Sequence, residues 1–140
     1  MTKTIFINLP VADLPKSMAF YEAIGATNNP QFTDDTGACM VFSETIYVML
    51  LTHEKWRTFT KRPIPSTDHS EVLLAIACDD RVAVDTMANA AGANGGTADI
   101  NPNQEHGFMF SRAFADLDGH VWEPFWMDMA AAPADMAEVG

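Results

Sequence analysis

The chain has 140 residues, 48% of them hydrophobic and 10% aromatic, and a chain of this length and composition can bury one hydrophobic core. Its 8 Lys and Arg residues against 19 Asp and Glu residues give a net charge of −11, which argues against binding to nucleic acid or to an anionic membrane surface. No apolar run approaches the roughly 20 residues of a membrane span, and no signal peptide precedes the first strand-like segment. The only cysteines, Cys39 and Cys78, have no metal-like spacing and fit a reducing compartment. We therefore expect a single domain over residues 1–140, located in the cytoplasm.

The first half of the chain predicts a β-α-β-β order. Residues 4–9 are β-branched and aromatic, and Asp13 is placed to cap a helix that extends to about Ile24 and ends at Gly25. Two further strands are predicted at residues 39–42 and 45–51, joined by a tight turn at 43–44, and a short strand is expected near 31–33.

The second half repeats this order. Residues 71–77 predict a strand, Asp79 or Asp80 can cap a helix over 82–91, and Gly92 is its expected end. An offset of 67 residues carries Asp13 onto Asp80 and Gly25 onto Gly92. Two strands over 108–115 and 120–126, with a turn at 116–119, close the repeat.

Residues 55–69 separate the two modules, which span about residues 3–54 and 70–128, and a tail follows at 129–140. Four of the eight basic residues lie in the first eight positions of this connector. The connector is either a solvated linker or a flap that guides an anionic ligand to a cleft.

The opening segment FINLPVADLPKSMAFYEAIGA and the closing segment FADLDGHVWEPFW resemble the vicinal oxygen chelate superfamily. This group includes glyoxalase I, extradiol dioxygenases, fosfomycin resistance enzymes and the bleomycin resistance protein, and the sequence is similar to its bacterial branch of predicted lactoylglutathione lyases. The resemblance implies an α+β fold, in which two β-α-β-β-β modules form a curved, eight-stranded mixed sheet with helices on the convex side. It also implies a homodimer.

Metal-dependent members of that superfamily bind their metal with residues on the first and last strand of each module. The matching positions in this chain are Phe6, Met49, Leu73 and Glu123, and only Glu123 is a ligand for zinc, nickel or iron. We therefore expect no metal site of the family type and no cofactor, with a chance site that uses His53 or His106 left as an alternative.

Strand alternation predicts which side chains face the cleft. If the closing hairpin has a two- or four-residue loop, Arg112 lies opposite Glu123 on the same face, whereas Cys39, Trp122 and Trp126 face the helices. The Arg112–Glu123 pair is either a structural ion pair or a site in which Glu123 acts as a base and Arg112 holds a ligand carboxylate. The predicted cleft residues are Phe6, Asn8, Met40, Tyr47, Met49, Leu73, Arg112, Val121, Glu123 and Phe125.

These observations favour a metal-independent protein that binds a small molecule. Two alternatives stay open. One is a metal-dependent lyase or isomerase that resembles lactoylglutathione lyase, and the other is a metal-free isomerase or epimerase that uses Glu123 as its base.

Overall fold

The computed structural model describes residues 2–131, which contain ten β-strands and three α-helices. The elements of the first module are β1 (Ile5–Val11), α1 (Leu14–Ala23), β2 (Thr27–Asn29), a 3-10 helix (Pro30–Phe32), β3 (Gly37–Val41), β4 (Ile46–Thr52) and α2 (His53–Phe59). Those of the second are β5 (Leu74–Ala77), α3 (Arg81–Ala93), β6 (Thr97–Ala98), β7 (Gln104–Glu105), β8 (Met109–Ser111), β9 (Phe114–Ala115) and β10 (Val121–Met127).

The first module forms a four-stranded mixed sheet in the order β1-β4-β3-β2. Strand β1 runs parallel to β4, which requires a crossover, and α1 is the first part of that crossover. The helix begins where predicted, because the Asp13 carboxylate accepts a hydrogen bond from the Lys16 N–H at 3.1 Å. The chain turns away at Gly25, whose φ of 115° suits glycine.

The second module repeats this arrangement. Strand β5 runs parallel to β10, and β10 pairs on its other side with β8 and β9, which in turn pair with β7 and β6. Asp80 caps α3 through a 2.7 Å hydrogen bond from the Ala83 N–H. The predicted duplication and the α+β class are therefore confirmed.

The two sheets share one hydrophobic core with α1 and α3. Leu9, Met40 and Leu50 of the first sheet belong to the same buried cluster as Phe114 and Trp122 of the second. We call the face of each sheet that contributes to this cluster its inner face and the opposite face its outer face. Because the inner faces meet at a common core, both outer faces point away from it.

A buried hydrogen-bonded chain joins the modules across this core. The Tyr21 hydroxyl donates to the Asp116 carboxylate at 2.6 Å and accepts from the Trp122 indole N–H at 3.0 Å. Nearby, the Asp118 carboxylate accepts from the Ala12 N–H at 2.8 Å. The turn at 116–119 thus docks against the start of α1.

Several predicted element boundaries were wrong. Helix α3 continues through Gly92 to Ala93, and the left-handed glycine after it is Gly95, with φ 96°. Residues 31–33 form no strand, because the chain enters a 3-10 helix at Pro30 after the short strand β2. The predicted strand at 108–115 is interrupted between β8 and β9.

Part of the expected connector at 55–69 is helical. The Thr52 hydroxyl accepts a hydrogen bond from the Lys55 N–H at 3.1 Å, which caps α2 directly after β4. Irregular chain begins only at Thr60. Of the tail at 129–140, residues 132–140 lie outside the described part of the chain.

Both long hairpins have three-residue loops. Hydrogen bonds from the Phe42 N–H to the Ile46 carbonyl, at 3.0 Å, and from the Asp116 N–H to the His120 carbonyl, at 2.9 Å, close loops at 43–45 and 117–119. The second loop ends at Gly119 with φ 85°, the geometry of a three-residue hairpin with a glycine bulge. Each register therefore differs by one residue from the predicted one, and a shift of one residue moves a side chain to the other face.

Within residues 2–131, the structure has no helix that combines the length and the apolar character needed to cross a bilayer.

Candidate functional site

A groove of about 440 Å³ opens on the outer face of the first sheet, beside α2. Its lining comes from the first module, with strands β1, β3 and β4 supplying the floor. The apolar lining residues are Phe6, Phe32, Cys39, Met49, Leu51 and Phe59. The remaining lining residues are Asn8, Asp34, Thr36, Gly37 and Lys55.

Three phenylalanines stand exposed around this groove. Phe6, Phe32 and Phe59 are 55%, 63% and 62% exposed, unlike the aromatic residues of the core, which are almost fully buried. Phe6 pairs across the sheet with Tyr47, and the two rings stack with centroids 4.5 Å apart and planes within 10°. The groove therefore presents accessible ring surface that the fold itself does not cover.

The two charged groups of the groove differ in their surroundings. Hydrogen bonds from the Thr36 N–H (2.8 Å), the Thr36 hydroxyl and the Gly37 N–H lower the pKa of Asp34, and the nearby Lys55 contributes to the same shift. The Lys55 ammonium lies 5.5 Å from the centroid of the Phe59 ring and forms no ion pair with any residue from 2 to 131. The Asp34 carboxylate thus accepts hydrogen bonds within its own turn, whereas the Lys55 ammonium has N–H groups available for a ligand.

The β3–β4 register changes two expectations. Cys39 lies opposite Met49 and lines the groove, whereas Met40 lies opposite Val48 and is fully buried in the core. Met40 was therefore wrongly placed in the cleft, because the three-residue loop at 43–45 shifts the pairing by one position. Burial raises the pKa of the Cys39 thiol, so the groove floor carries a neutral thiol at physiological pH.

The family model for the Glyoxalase/Bleomycin resistance protein/Dioxygenase superfamily matches residues 4–123. The chain belongs to this superfamily. No curated protein matches the sequence.

Several solved structures share the fold of this chain. Hypothetical protein SA1046 from S. aureus has a TM-score of 0.74 and 25% identity, covering 90% of this chain and 95% of its own. A glyoxalase/bleomycin resistance protein/dioxygenase family enzyme from Burkholderia phytofirmans has a TM-score of 0.72 and 17% identity, covering 90% and 99%. The fosfomycin resistance protein FosX from Mesorhizobium loti has a TM-score of 0.66 and 18% identity, covering 93% and 96%.

The four positions that the resemblance matches to metal ligands carry too few donor atoms to hold a metal of the family type. Phe6 stacks on Tyr47, Met49 lines the groove, and Leu73 is a 52% exposed aliphatic residue just before β5. Glu123 alone carries an oxygen ligand, and one carboxylate does not hold a divalent metal of this type. His53 and His106 do not change this, since residues 2–131 contain no group of three or more His, Cys, Asp or Glu arranged to hold a metal ion.

Glu123 lies on the second sheet and not in the groove. It pairs with Ala75 of β5, on the face opposite Trp122, and forms no ion pair within the described chain. Val121 and Phe125 share that face by strand alternation. The predicted cleft is thus divided within one chain, with Phe6, Asn8, Tyr47 and Met49 on the first sheet and Leu73, Val121, Glu123 and Phe125 in the second module.

The predicted Arg112–Glu123 pair does not form. The Arg112 N–H bonds to the Pro124 carbonyl, and its guanidinium points to the α3 side, where Asp99 binds it through two 2.9 Å hydrogen bonds and Asp85 through one of 3.0 Å. The three-residue loop at 117–119 is the cause, because the prediction assumed a two- or four-residue loop. With a side chain only 10% exposed and both carboxylates in place, Arg112 is a structural group.

Sequence reasoning predicted only three of the eleven groove residues, namely Phe6, Asn8 and Met49. The residues it did not assign are Phe32, Asp34, Thr36, Gly37, Cys39, Leu51, Lys55 and Phe59. Two local signals were available, namely the Asp34-x-Thr36-Gly37 turn and Thr52 as a helix cap before Lys55. The flap alternative for the connector pointed to this segment, but no motif indicated that a helix over residues 53–59 would border the outer face of the sheet.

Proposed function

We propose that this superfamily member is a metal-independent small-molecule-binding protein that holds its ligand in the groove of the first module. The observation that carries the proposal is the lining of that groove, where three exposed phenylalanines surround a floor of Met49 and Leu51. Binding pockets for small molecules are mostly apolar, with a few polar groups that orient the ligand. Asn8 and Lys55 are the polar groups available for that purpose.

Ligand binding in this groove needs no metal to be favourable. Covering a partly exposed aromatic side chain is worth on the order of 1 kcal/mol, since complete burial is worth roughly 1.5–3 kcal/mol. Three such rings therefore supply enough apolar area for a small ligand to be bound by burial and stacking.

We further propose a homodimer in which a second copy covers the groove. The exposed apolar residues support this dimer. Leu73 and Val72 of the second module are 52% and 55% exposed, and Phe6 beside the groove of the first module is 55% exposed. A two-fold axis can set the second module of one copy against the first module of the other, with Glu123 at the rim. The two free thiols accord with a cytoplasmic location for this dimer.

Metal independence is tested by equilibrium dialysis and thermal unfolding with zinc or nickel. We expect no stoichiometric uptake and no stabilisation that EDTA reverses. A large EDTA-reversible stabilisation would contradict the proposal. Turnover of a glutathione hemithioacetal that disappears on chelation would replace it with a lyase of the glyoxalase type. Metal-free isomerase activity that Glu123→Gln abolishes while the fold persists would assign Glu123 as the base.

The location of the ligand is tested with a pair of tryptophan variants. Asn8→Trp places an indole in the groove, whereas Val82→Trp places one on α3, where Val82 is 71% exposed. Fragments that bind the wild-type protein in ligand-observed NMR should lose binding to Asn8→Trp and keep it with Val82→Trp. Equal binding to both variants would place the ligand elsewhere.

The dimer is tested by light scattering at micromolar concentration. We expect twice the 15.3 kDa chain mass for the wild-type protein. Leu73→Asp should shift the mass to that of the monomer and weaken fragment binding, although Leu73 does not line the groove, whereas Val82→Asp should do neither. A wild-type mass of 15.3 kDa would rule out the dimer.

A further inference from the structure

We propose that the groove selects planar aromatic anions, with the ring system stacked among the phenylalanines and the anionic group bound by the Lys55 ammonium. This inference rests on the proposed function, because it names the ligand class of the same groove. It makes Lys55 a residue that determines specificity.

The preference for a planar ring follows from the Phe6–Tyr47 stack. The two rings lie nearly parallel at 4.5 Å, and the 55% exposure of Phe6 leaves ring surface open beside the groove. Phe32 and Phe59 add two more exposed rings to the same lining. A flat aromatic ligand extends such a stack, whereas a puckered aliphatic ring of equal size gains area burial without the stacking geometry.

The preference for an anion follows from the difference between the two charged residues. The Oδ1 atom of Asp34 accepts hydrogen bonds from three donors of its own turn, so these donors are satisfied without a ligand. The partly buried Lys55 has no ion-pair partner within the described chain and sits against the Phe59 ring. A ligand carboxylate can therefore accept a hydrogen bond from Lys55 while its ring contacts the neighbouring aromatic residues.

The overall charge of −11 does not oppose this assignment. Four of the eight basic residues lie between positions 55 and 62, and Lys55 is the one of them that lines the groove. Charges farther away than about 10 Å are largely screened at physiological ionic strength. The charged groups inside the groove, Lys55 and the Asp34 carboxylate held by its own turn, therefore matter more for the ligand than the overall charge does.

The experiment compares three probes of equal size by calorimetric titration at about 0.15 M ionic strength, where the distant acidic residues are screened. Naphthoate is planar and anionic, naphthamide is planar and neutral, and decahydronaphthoate is anionic but not planar. We expect naphthoate to bind about fivefold more tightly than either of the others, and added salt should shrink its advantage over the amide.

Two substitutions separate the contribution of Lys55 from general electrostatics. Lys55→Gln should erase the preference for naphthoate over naphthamide, and Lys16→Gln, which removes a surface lysine of α1 outside the groove, should leave it unchanged. Circular dichroism verifies that each variant is folded.

Equal binding of naphthoate and naphthamide to the wild-type protein would overturn the anion assignment and leave the proposed small-molecule site standing. An unchanged preference in Lys55→Gln would overturn the role of Lys55. Failure of all three probes to bind at millimolar concentration would overturn this inference, whereas the fragment experiment with Asn8→Trp judges the proposed function separately.

Discussion

The hydroxyl group of Tyr21 is predicted to hold the two modules together. Its side chain is fully buried, and its partners Asp116 and Trp122 are only 5% and 2% exposed. Burial, followed by the neighbouring Asp116, raises the pKa of Tyr21, so the phenol is neutral and donates to the carboxylate. Tyr21→Phe removes this donor without changing the packing of the ring.

The expected loss of stability is about 3 kcal/mol. A buried hydrogen bond to a charged group contributes about 1.5–3 kcal/mol, and the Trp122 N–H, which now bonds to the Tyr21 hydroxyl at 3.0 Å, would lose its acceptor at a cost of about 1 kcal/mol. Asp116 keeps its bonds from the Asp118 and His120 N–H groups, which limits the total. For a chain of this size the melting temperature should fall by about 10 °C.

The loss should grow with pH. Burial is the main cause of the raised pKa of Asp116, whereas the hydrogen bond from Tyr21 acts in the lowering direction. A carboxyl group whose pKa is raised in the folded state binds more protons there than in the unfolded chain. Stability therefore falls as the pH rises from the unfolded-state pKa through the folded-state pKa. Without the Tyr21 bond the folded-state pKa of Asp116 rises further, so the penalty is smaller near the ordinary aspartate pKa of 3.8 than at neutral pH.

Urea unfolding of Tyr21→Phe and of the wild-type protein at several pH values measures both effects. Tyr47→Phe is the matched control, because Tyr47 is the second of the two tyrosines and stacks on Phe6 at the outer face. We expect the control to stay within about 0.5 kcal/mol of the wild type. A similarly small change for Tyr21→Phe, or a penalty independent of pH, would contradict the role assigned to the Tyr21 hydroxyl.

Three further predictions concern the second module. Gly119 and Gly107 both have positive φ, at 85° and 77°, but only a Cβ at Gly119 would overlap the Thr67 carbonyl. Gly107→Ala should therefore lower the free energy of unfolding by about 1 kcal/mol, and Gly119→Ala by at least about 2 kcal/mol more. Differential scanning calorimetry measures both losses. Arg112→Met should cost about 2 kcal/mol in urea unfolding, because it leaves the carboxylates on the α3 side without their partner, with the cost reduced by their partial exposure. Hydrogen bonds from Arg81, then from the Gly107 N–H, lower the pKa of Glu105 to about 2. The stabilising contribution of Glu105 is therefore present above its ordinary pKa near 4.5 and is lost as the pH falls through about 2. NMR titration of the Glu105 carboxyl carbon measures this pKa.

Each of these has a contrary outcome. Equal losses for the two glycine variants would mean that the segment at Thr67 does not pack against the turn. An Arg112→Met protein as stable as an Arg62→Met control would show that the ion pairs of Arg112 are not stabilising. A Glu105 midpoint near 4.5 would show that its bidentate pair with Arg81 does not persist in solution.

Local sequence signals predicted the elements well and the sheet faces less well. Asp13 caps its helix as predicted, and Asp80 is the one of the two predicted candidates that caps α3, because an N-cap depends on a few consecutive residues. Met40 and Arg112 were placed on the wrong faces, because each depends on the length of a hairpin loop. Gly119 at the third loop position was a usable signal for the second hairpin, whereas the loop at 43–45 contains no glycine to reveal its length.

Local sequence patterns were sufficient to predict the duplicated β-α-β-β-β plan and the superfamily. These properties are encoded in short motifs, caps and spacings that act over a few residues. The structure was needed to show that the two sheets share one core through their inner faces. As a result, the groove belongs to the first module and Glu123 lies apart from it. That outcome depends on how two amphipathic sheets and their helices dock. Strand alternation by itself is compatible with either face of a sheet packing inward, and the loop lengths and the shared core determine which face does so.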